Sequence, residues 1–132
     1  MKALIGHIIL NVSDLNKSMP FYDAFLQQLG FKIVFKESED WGGCVSYKQG
    51  DHNIWIKYEK SKKHKKFVRD VGLDHLAFRV LKKKQVDELF EIIKQHKVKI
   101  TREPKNYPEY SKKYYAIYFR DPDNIPLEIF YK

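Results

Sequence analysis

Cysteine is nearly absent from this chain: Cys44 is the single one in 132 residues, so no intrachain disulfide can form. That excludes a disulfide-stapled scaffold and fits a reducing compartment, so a cytoplasmic location is expected. Long apolar runs are missing too. No stretch approaches the ~20 apolar residues of a membrane span. The opening "MKALIGHIILNV" is apolar for too short a run to read as a secretion signal, and His7 and Asn11 interrupt it. "NVS" at 11–13 matches a glycosylation acceptor, but without a signal the match is accidental. Also lacking is any basic stretch interleaved with aromatics in the manner of an RNA-binding strand.

The net charge is nevertheless +8, so nucleic acid must be considered as a partner. The charge is spread evenly. Residues 1–66 hold eleven Lys and Arg against seven Asp and Glu, and residues 67–132 hold fourteen against ten. The clusters "KSKKHKK" (60–66), "KKK" (82–84) and "SKK" (111–113) fall at predicted loops or helix starts. They read as solvated loops that draw anionic small molecules, and no nucleic-acid partner is expected. Hydrophobic residues at 43% and charged residues at 32% describe one globular domain over 1–132. Aromatics reach 15%, with nine Tyr and nine Phe. Tyrosine joins an apolar ring to a polar tip, which suits a half-wet cavity or an interface.

What the chain does contain is a repeat. "LIGHIILNV" (4–12) and "GLDHLAFRV" (72–80) align His7 with His75 at an offset of 68, with Leu10 on Phe78 and Val12 on Val80. Each segment is followed by a helical pattern. Residues 18–29 carry Phe21, Ala24, Phe25 and Leu29, with Ser18 as N-cap and Pro20 in the first turn. Residues 84–95 carry Val86, Leu89, Phe90 and Ile93. Three strand patterns follow each helix: 31–37, 43–49 and 53–59, then 98–104, 114–120 and 125–131. Phe31, Ile33 and Phe35 alternate, as do Ile54, Ile56 and Tyr58, which reads as strands with one buried face. "DPDN" (121–124) makes a tight turn, with Asn124 tolerating a left-handed backbone. The expected class is α+β: two βαβββ modules, about 1–60 and 72–132, joined by a charged linker at 61–71. Modules of ~65 residues are too small to fold alone comfortably. They should bury their sheets together, within the chain or across a dimer.

Strand alternation places His7, Ile9 and Asn11 on one face, and His75, Ala77 and Arg79 on the equivalent face of the copy. Glu128 sits between Leu127 and Ile129 in the last strand, a carboxylate among apolar neighbours. A lone histidine in an apolar strand is ordinarily structural. Three lone polar groups on three apolar strands, two of them related by the repeat, ask for a shared cause. Two imidazoles and one carboxylate suit one divalent ion: Zn, Ni, Mn or Fe.

The same residues carry a family resemblance. "H-x-x-L-x-V-x-D-L" (His7 to Leu15), the "SMPFYDAFLQQLGF" after it, "GLDHLAFRV" and "DPDNIPLEI" together resemble the vicinal-oxygen-chelate superfamily. That superfamily includes glyoxalase I, bleomycin-resistance proteins, fosfomycin-resistance thiol transferases and extradiol dioxygenases. The resemblance implies two paired modules forming a cupped mixed sheet with helices packed outside, and His7, His75 and Glu128 at the metal-ligand positions. It also implies Lewis-acid chemistry on a small molecule held through its oxygens. Trp55 falls where glyoxalase I-like members carry a fourth ligand, usually Glu, so their usual base has no counterpart. A tryptophan there and a tyrosine before the "DPD" turn, here Tyr118, are shared with fosfomycin transferases, whereas their threonine is here Ile9. Trp55, Tyr118 and Arg79 are the candidate substrate-binding residues, with core packing or an internal salt bridge as the alternatives. Lys57, on the face of Trp55, has weaker support for the same role. The expected activity is of lyase or isomerase type. Alternatives are an extradiol dioxygenase, an antibiotic thiol transferase, or a ligand-binding protein of bleomycin-resistance type without catalysis. A homodimer with a site shared between chains is expected from the resemblance and the small modules.

Overall fold

The computed structural model describes residues 1–132, which divide into two compact units, 1–65 and 66–132. The division falls inside the predicted linker. The first unit contains β1 (Ile8–Asn11), α1 (Leu15–Gln28), β2 (Lys32–Glu39), β3 (Gly42–Gln49) and β4 (His52–Glu59). The second contains β5 (Leu76–Arg79), α2 (Lys83–Lys94), β6 (Ile100–Asn106), β7 (Tyr115–Arg120) and β8 (Pro126–Tyr131). Each unit is one four-stranded mixed sheet, ordered β1-β4-β3-β2 and β5-β8-β7-β6. In each, the first strand pairs in parallel with the last and the other pairings are antiparallel. The two βαβββ modules of a glyoxalase-like α+β fold are therefore present.

The offset of 68 holds through the first strand and helix of each unit. It then grows, because residues 107–114 join β6 to β7 where only Asp40 and Trp41 join β2 to β3. The pairing keeps the repeat in register regardless. Ile9 lies opposite Trp55, and its copy Ala77 lies opposite Glu128. The amide of Val12 donates to Lys57 O at 2.8 Å, and that of Val80 to Phe130 O at 2.8 Å.

Each helix covers one face of its own sheet. In α1, Phe21, Tyr22, Phe25 and Leu26 are buried, as are Val45, Tyr47, Ile54 and Ile56 of β3 and β4. In α2, Val86, Leu89 and Ile93 are buried, as are Ile117, Phe119, Leu127 and Ile129 of β7 and β8. Tyr22 and Leu26 thus take the places expected for Ala24 and Leu29, which are only half-buried. Phe90 is also half-buried, with the Lys94 ammonium 4.8 Å over its ring.

Local chemistry moves α1 one turn earlier than the apolar pattern suggests. Asp14, not Ser18, is the N-cap: its side chain accepts from the Asn16 amide at 2.9 Å. Ser18 is instead fully buried within the helix, its hydroxyl without a hydrogen-bond partner. Pro20 consequently falls in the second turn, where it forfeits one backbone bond. In β2, a bulge between Ile33 and Phe35 breaks the expected alternation. Ile33 pairs with Tyr47 and Phe35 with Ser46, so the two rows part and neither side chain is buried.

Turn geometry is met by suitable residues. Gly42 has φ +143°, and a Cβ there would lie 2.1 Å from Tyr58 O, so only glycine fits. Asn124 takes the left-handed conformation with φ 71°, as its side-chain type permits. Asp121 holds that turn by accepting the amides of Asp123 and Ile125 at 2.9 and 2.7 Å.

Candidate metal centre

The segment 72–80 is not the buried strand its composition suggests. Only Phe78 and Val80 are buried; Leu73, Ala77 and Arg79 are exposed and His75 half-exposed. His75 stands one residue ahead of β5, as His7 stands one residue ahead of β1. Because β5 runs parallel to β8, its start brings the imidazole to Glu128, which Tyr118 of β7 faces from the other side.

His75 Nε2 lies 2.9 Å from Glu128 Oε2, and His75 Nδ1 lies 2.5 Å from Asp74 Oδ1. Both ring nitrogens therefore meet carboxylates. The His75 bond, and then the Arg69 guanidinium 3.3 Å away, hold the Asp74 carboxyl below its ordinary range. Glu128 is 2% exposed, so its charge requires partners. Its Oε1 accepts from the Tyr114 hydroxyl at 2.7 Å, while Oε2 faces the imidazole. Burial first, and then the Glu128 carboxylate, raise the Tyr114 and Tyr118 phenols, so both stay protonated donors at neutral pH. The rings of Tyr118 and His75 meet edge-on at 6.3 Å. The Arg102 guanidinium lies 5.3 Å over the Tyr118 ring and 5.7 Å over the Tyr107 ring.

Two electron-rich atoms cannot face each other at 2.9 Å without a proton or a cation between them. Ligand bonds of about 2.1 Å at a right angle put adjacent donors about 3 Å apart, so this pair also fits two neighbouring ligands of one divalent ion. A carboxylate on the far ring nitrogen is the support that metal-bound histidines receive. The donor set of the second module therefore fits a metal. Within either module, no three His, Cys, Asp or Glu side chains gather in metal-holding geometry. The second module contributes His75 and Glu128 of the expected set, and His7 belongs to the first.

The first module presents a different face. His7 is exposed and Ile9 is 48% exposed. Trp55, half-buried, occupies the register position of Glu128, with the Phe35 ring 5.5 Å away. Ser46 on the same face donates to the Asn53 side chain at 2.8 Å. Lys57 is committed to Glu59 at 2.6 Å. Arg79 donates to the backbone oxygen of Lys132, the last residue of the chain, at 3.1 Å.

Asp74, Tyr114 and Arg102 are site residues that the sequence reading passed over. Asp74 was detectable as the neighbour of His75. Tyr114 and Arg102 gave no signal, because a loop of irregular length and a bulged strand deliver them.

Two βαβββ modules with a histidine ahead of each first strand and a buried carboxylate in the last strand define a glyoxalase-like class of protein. The family model of the Glyoxalase/Bleomycin resistance protein/Dioxygenase superfamily matches residues 4–129, and the chain belongs to that superfamily. It is 32% identical over 129 residues to the uncharacterized protein YqjT of Bacillus subtilis (strain 168), covering 93% of this chain and 94% of that one. It is 28% identical over 124 residues to the metallothiol transferase FosB of Lysinibacillus sphaericus (strain C3-41), covering 94% and 79%. Among solved structures, a glyoxylase/bleomycin resistance protein/dioxygenase domain from Frankia sp. EAN1pec superposes with TM-score 0.81 at 25% identity, covering 99% and 93%. The fosfomycin resistance protein FosX of Listeria monocytogenes, solved with Mn(II) and sulfate, shares the fold at TM-score 0.70 and 23% identity, covering 100% and 94%. Divalent metals and small molecules are thus bound within the superfamily. No helix of this chain is long and apolar enough to cross a membrane.

Proposed function

We propose that the protein is a divalent-metal-dependent enzyme that transfers a small nucleophile, such as a thiol, to an oxygen-bearing molecule. His7, His75 and Glu128 would hold the metal. The observation that carries this reading is the 2.9 Å approach of His75 Nε2 to Glu128 Oε2, with Asp74 behind the imidazole. A bound ion would act as a Lewis acid toward substrate oxygens. The chain's own residues do the rest. Asp74 fixes the ring so that Nε2 points at the ligand position. Tyr114 satisfies the Glu128 oxygen that is turned away from it. Tyr118, protonated at neutral pH, supplies a donor beside the site.

Among the reaction classes named from the sequence, thiol transfer is favoured over glyoxalase-type isomerisation. Isomerisation needs a carboxylate that carries protons, and Trp55 stands at the register position where one is expected. The relationship to a metallothiol transferase over 94% of the chain points the same way. Ile9, Trp55 and Phe35 give the first module an apolar face. Arg79 would need to release the Lys132 backbone oxygen to reach a substrate anion. We further infer a homodimer whose sites are shared, the partner subunit's His7 completing each set.

The test is metal analysis of the wild type and of His75→Ala, followed by assays of low-molecular-weight thiols with fosfomycin or larger epoxides, and of hemithioacetals. One ion per chain, lost in the variant with the circular dichroism spectrum unchanged, and thiol-dependent turnover are expected. Wild type without metal would make the site a carboxylate–imidazole cluster and leave ligand binding without catalysis. Turnover of hemithioacetals alone would return the isomerase.

A further inference from the structure

A basic groove lies at the end of the second module, apart from the metal-centre residues. The stretch after α2, the turn 121–124 and Lys66 line an open groove of about 520 Å³. Its walls carry four cations, Lys66, Lys97, Lys99 and Arg120, against one carboxylate, Asp121. They come from three separate parts of the chain, so no single run of charge in the sequence brings them together.

The groove's four cations outnumber the carboxylates beside them, Asp121 and Asp123. Asp121 is 4% exposed and already accepts two backbone amides. Lys66 donates to the Pro122 carbonyl and lies 3.8 Å from Asp123. Arg120 uses one N–H on the Asn124 carbonyl at 3.3 Å, leaving most of its fork unspent. Lys97 and Lys99 are exposed. Lys97 also has φ 55°, a position that glycine or asparagine would hold at lower cost, so backbone stability does not account for lysine there. The α2 macrodipole does not account for the group either. The carbonyls of Ile92, Ile93 and Lys94 are capped by the amides of Gln95, His96 and Lys97, and neither Arg120 nor Lys66 lies on that helix.

Four cations against the two carboxylates beside them leave an excess of positive charge, which a multiply charged anion would offset. A guanidinium fork beside ammonium groups matches phosphate oxygens. We propose that this groove binds the phosphate group of a small phosphorylated or polyphosphate molecule.

The test follows backbone amide shifts of the full chain by NMR at physiological salt, after passage over a chelating resin so that no metal competes for anions. Inorganic phosphate, pyrophosphate and a nucleoside monophosphate are titrated separately, which distinguishes free phosphate, polyphosphate and ester sources. Saturable shifts at Val98, Lys99 and Asn124 are expected for at least one of them. Lys97→Gln with Lys99→Gln should weaken binding about tenfold, and Lys112→Gln with Lys113→Gln, removing equal charge elsewhere in the module, should leave it unchanged. Equal weakening by both pairs would reduce the effect to net charge and overturn the proposal. Failure to saturate, or shifts centred on His75 and Glu128 or spread along 60–66, would overturn it as well.

Discussion

The imidazole of His75 is held from both sides, and the outer partner, Asp74, is an exposed residue tied to Arg69. An exposed aspartate adds little to stability by itself. Its expected effect is on metal affinity, through ring orientation and basicity. Asp74→Asn should lower that affinity about 10- to 100-fold while leaving unfolding almost unchanged, as isothermal titration and denaturant melts would show. Equal loss in both measurements would mean that Asp74 serves the fold instead. How far such a site can be read from a sequence depends on the residue. His75 and Glu128 were legible because a polar group among apolar neighbours is a local anomaly. Tyr114 was not, since its bond to Glu128 depends on how the loop 107–114 closes.

At the level of elements, α1 is fastened to β3 by more than apolar burial. Tyr47 is fully buried, and its hydroxyl donates to Asp23 of the helix at 2.6 Å. Burial, and then Asp23, raise the Tyr47 phenol far above its ordinary value. Tyr115 is pushed up to about 12 by burial and then by its bond to Asp87. In such cases the folded chain keeps a proton that the unfolded chain releases near pH ~10. This stabilisation is fully present below that pH and is lost as the pH rises above it. Denaturant midpoints should be flat from neutral pH to about 9 and fall above about 10. Tyr47→Phe should cost about 1–3 kcal/mol at neutral pH and make the alkaline fall shallower. An unchanged alkaline slope would assign it wholly to other tyrosines. The same element shows the limit of periodicity. Phe21 and Phe25 were legible as a buried pair, but the cap at Asp14 started the helix early, and Tyr22 and Leu26 supplied the rest of the buried face.

For the whole molecule, the proposal of a shared site makes metal binding depend on association. Metal affinity should fall as the protein is diluted through dimer dissociation, with oligomeric state followed by analytical ultracentrifugation. Affinity that stays constant through dissociation would place all the ligands within one chain. The order βαβββ, twice, was determined by the sequence alone, and so was the equivalence of His7 and His75. Alternation and helical spacing are local consequences of backbone geometry, and a duplicated pattern repeats them. Only the tertiary structure decided the bulge at Ile33–Phe35, the carboxylates on both nitrogens of His75, and the gathering of Lys66, Lys97, Lys99 and Arg120 around one groove. Those features depend on pairing register and loop closure between residues far apart in the chain, which no local pattern records.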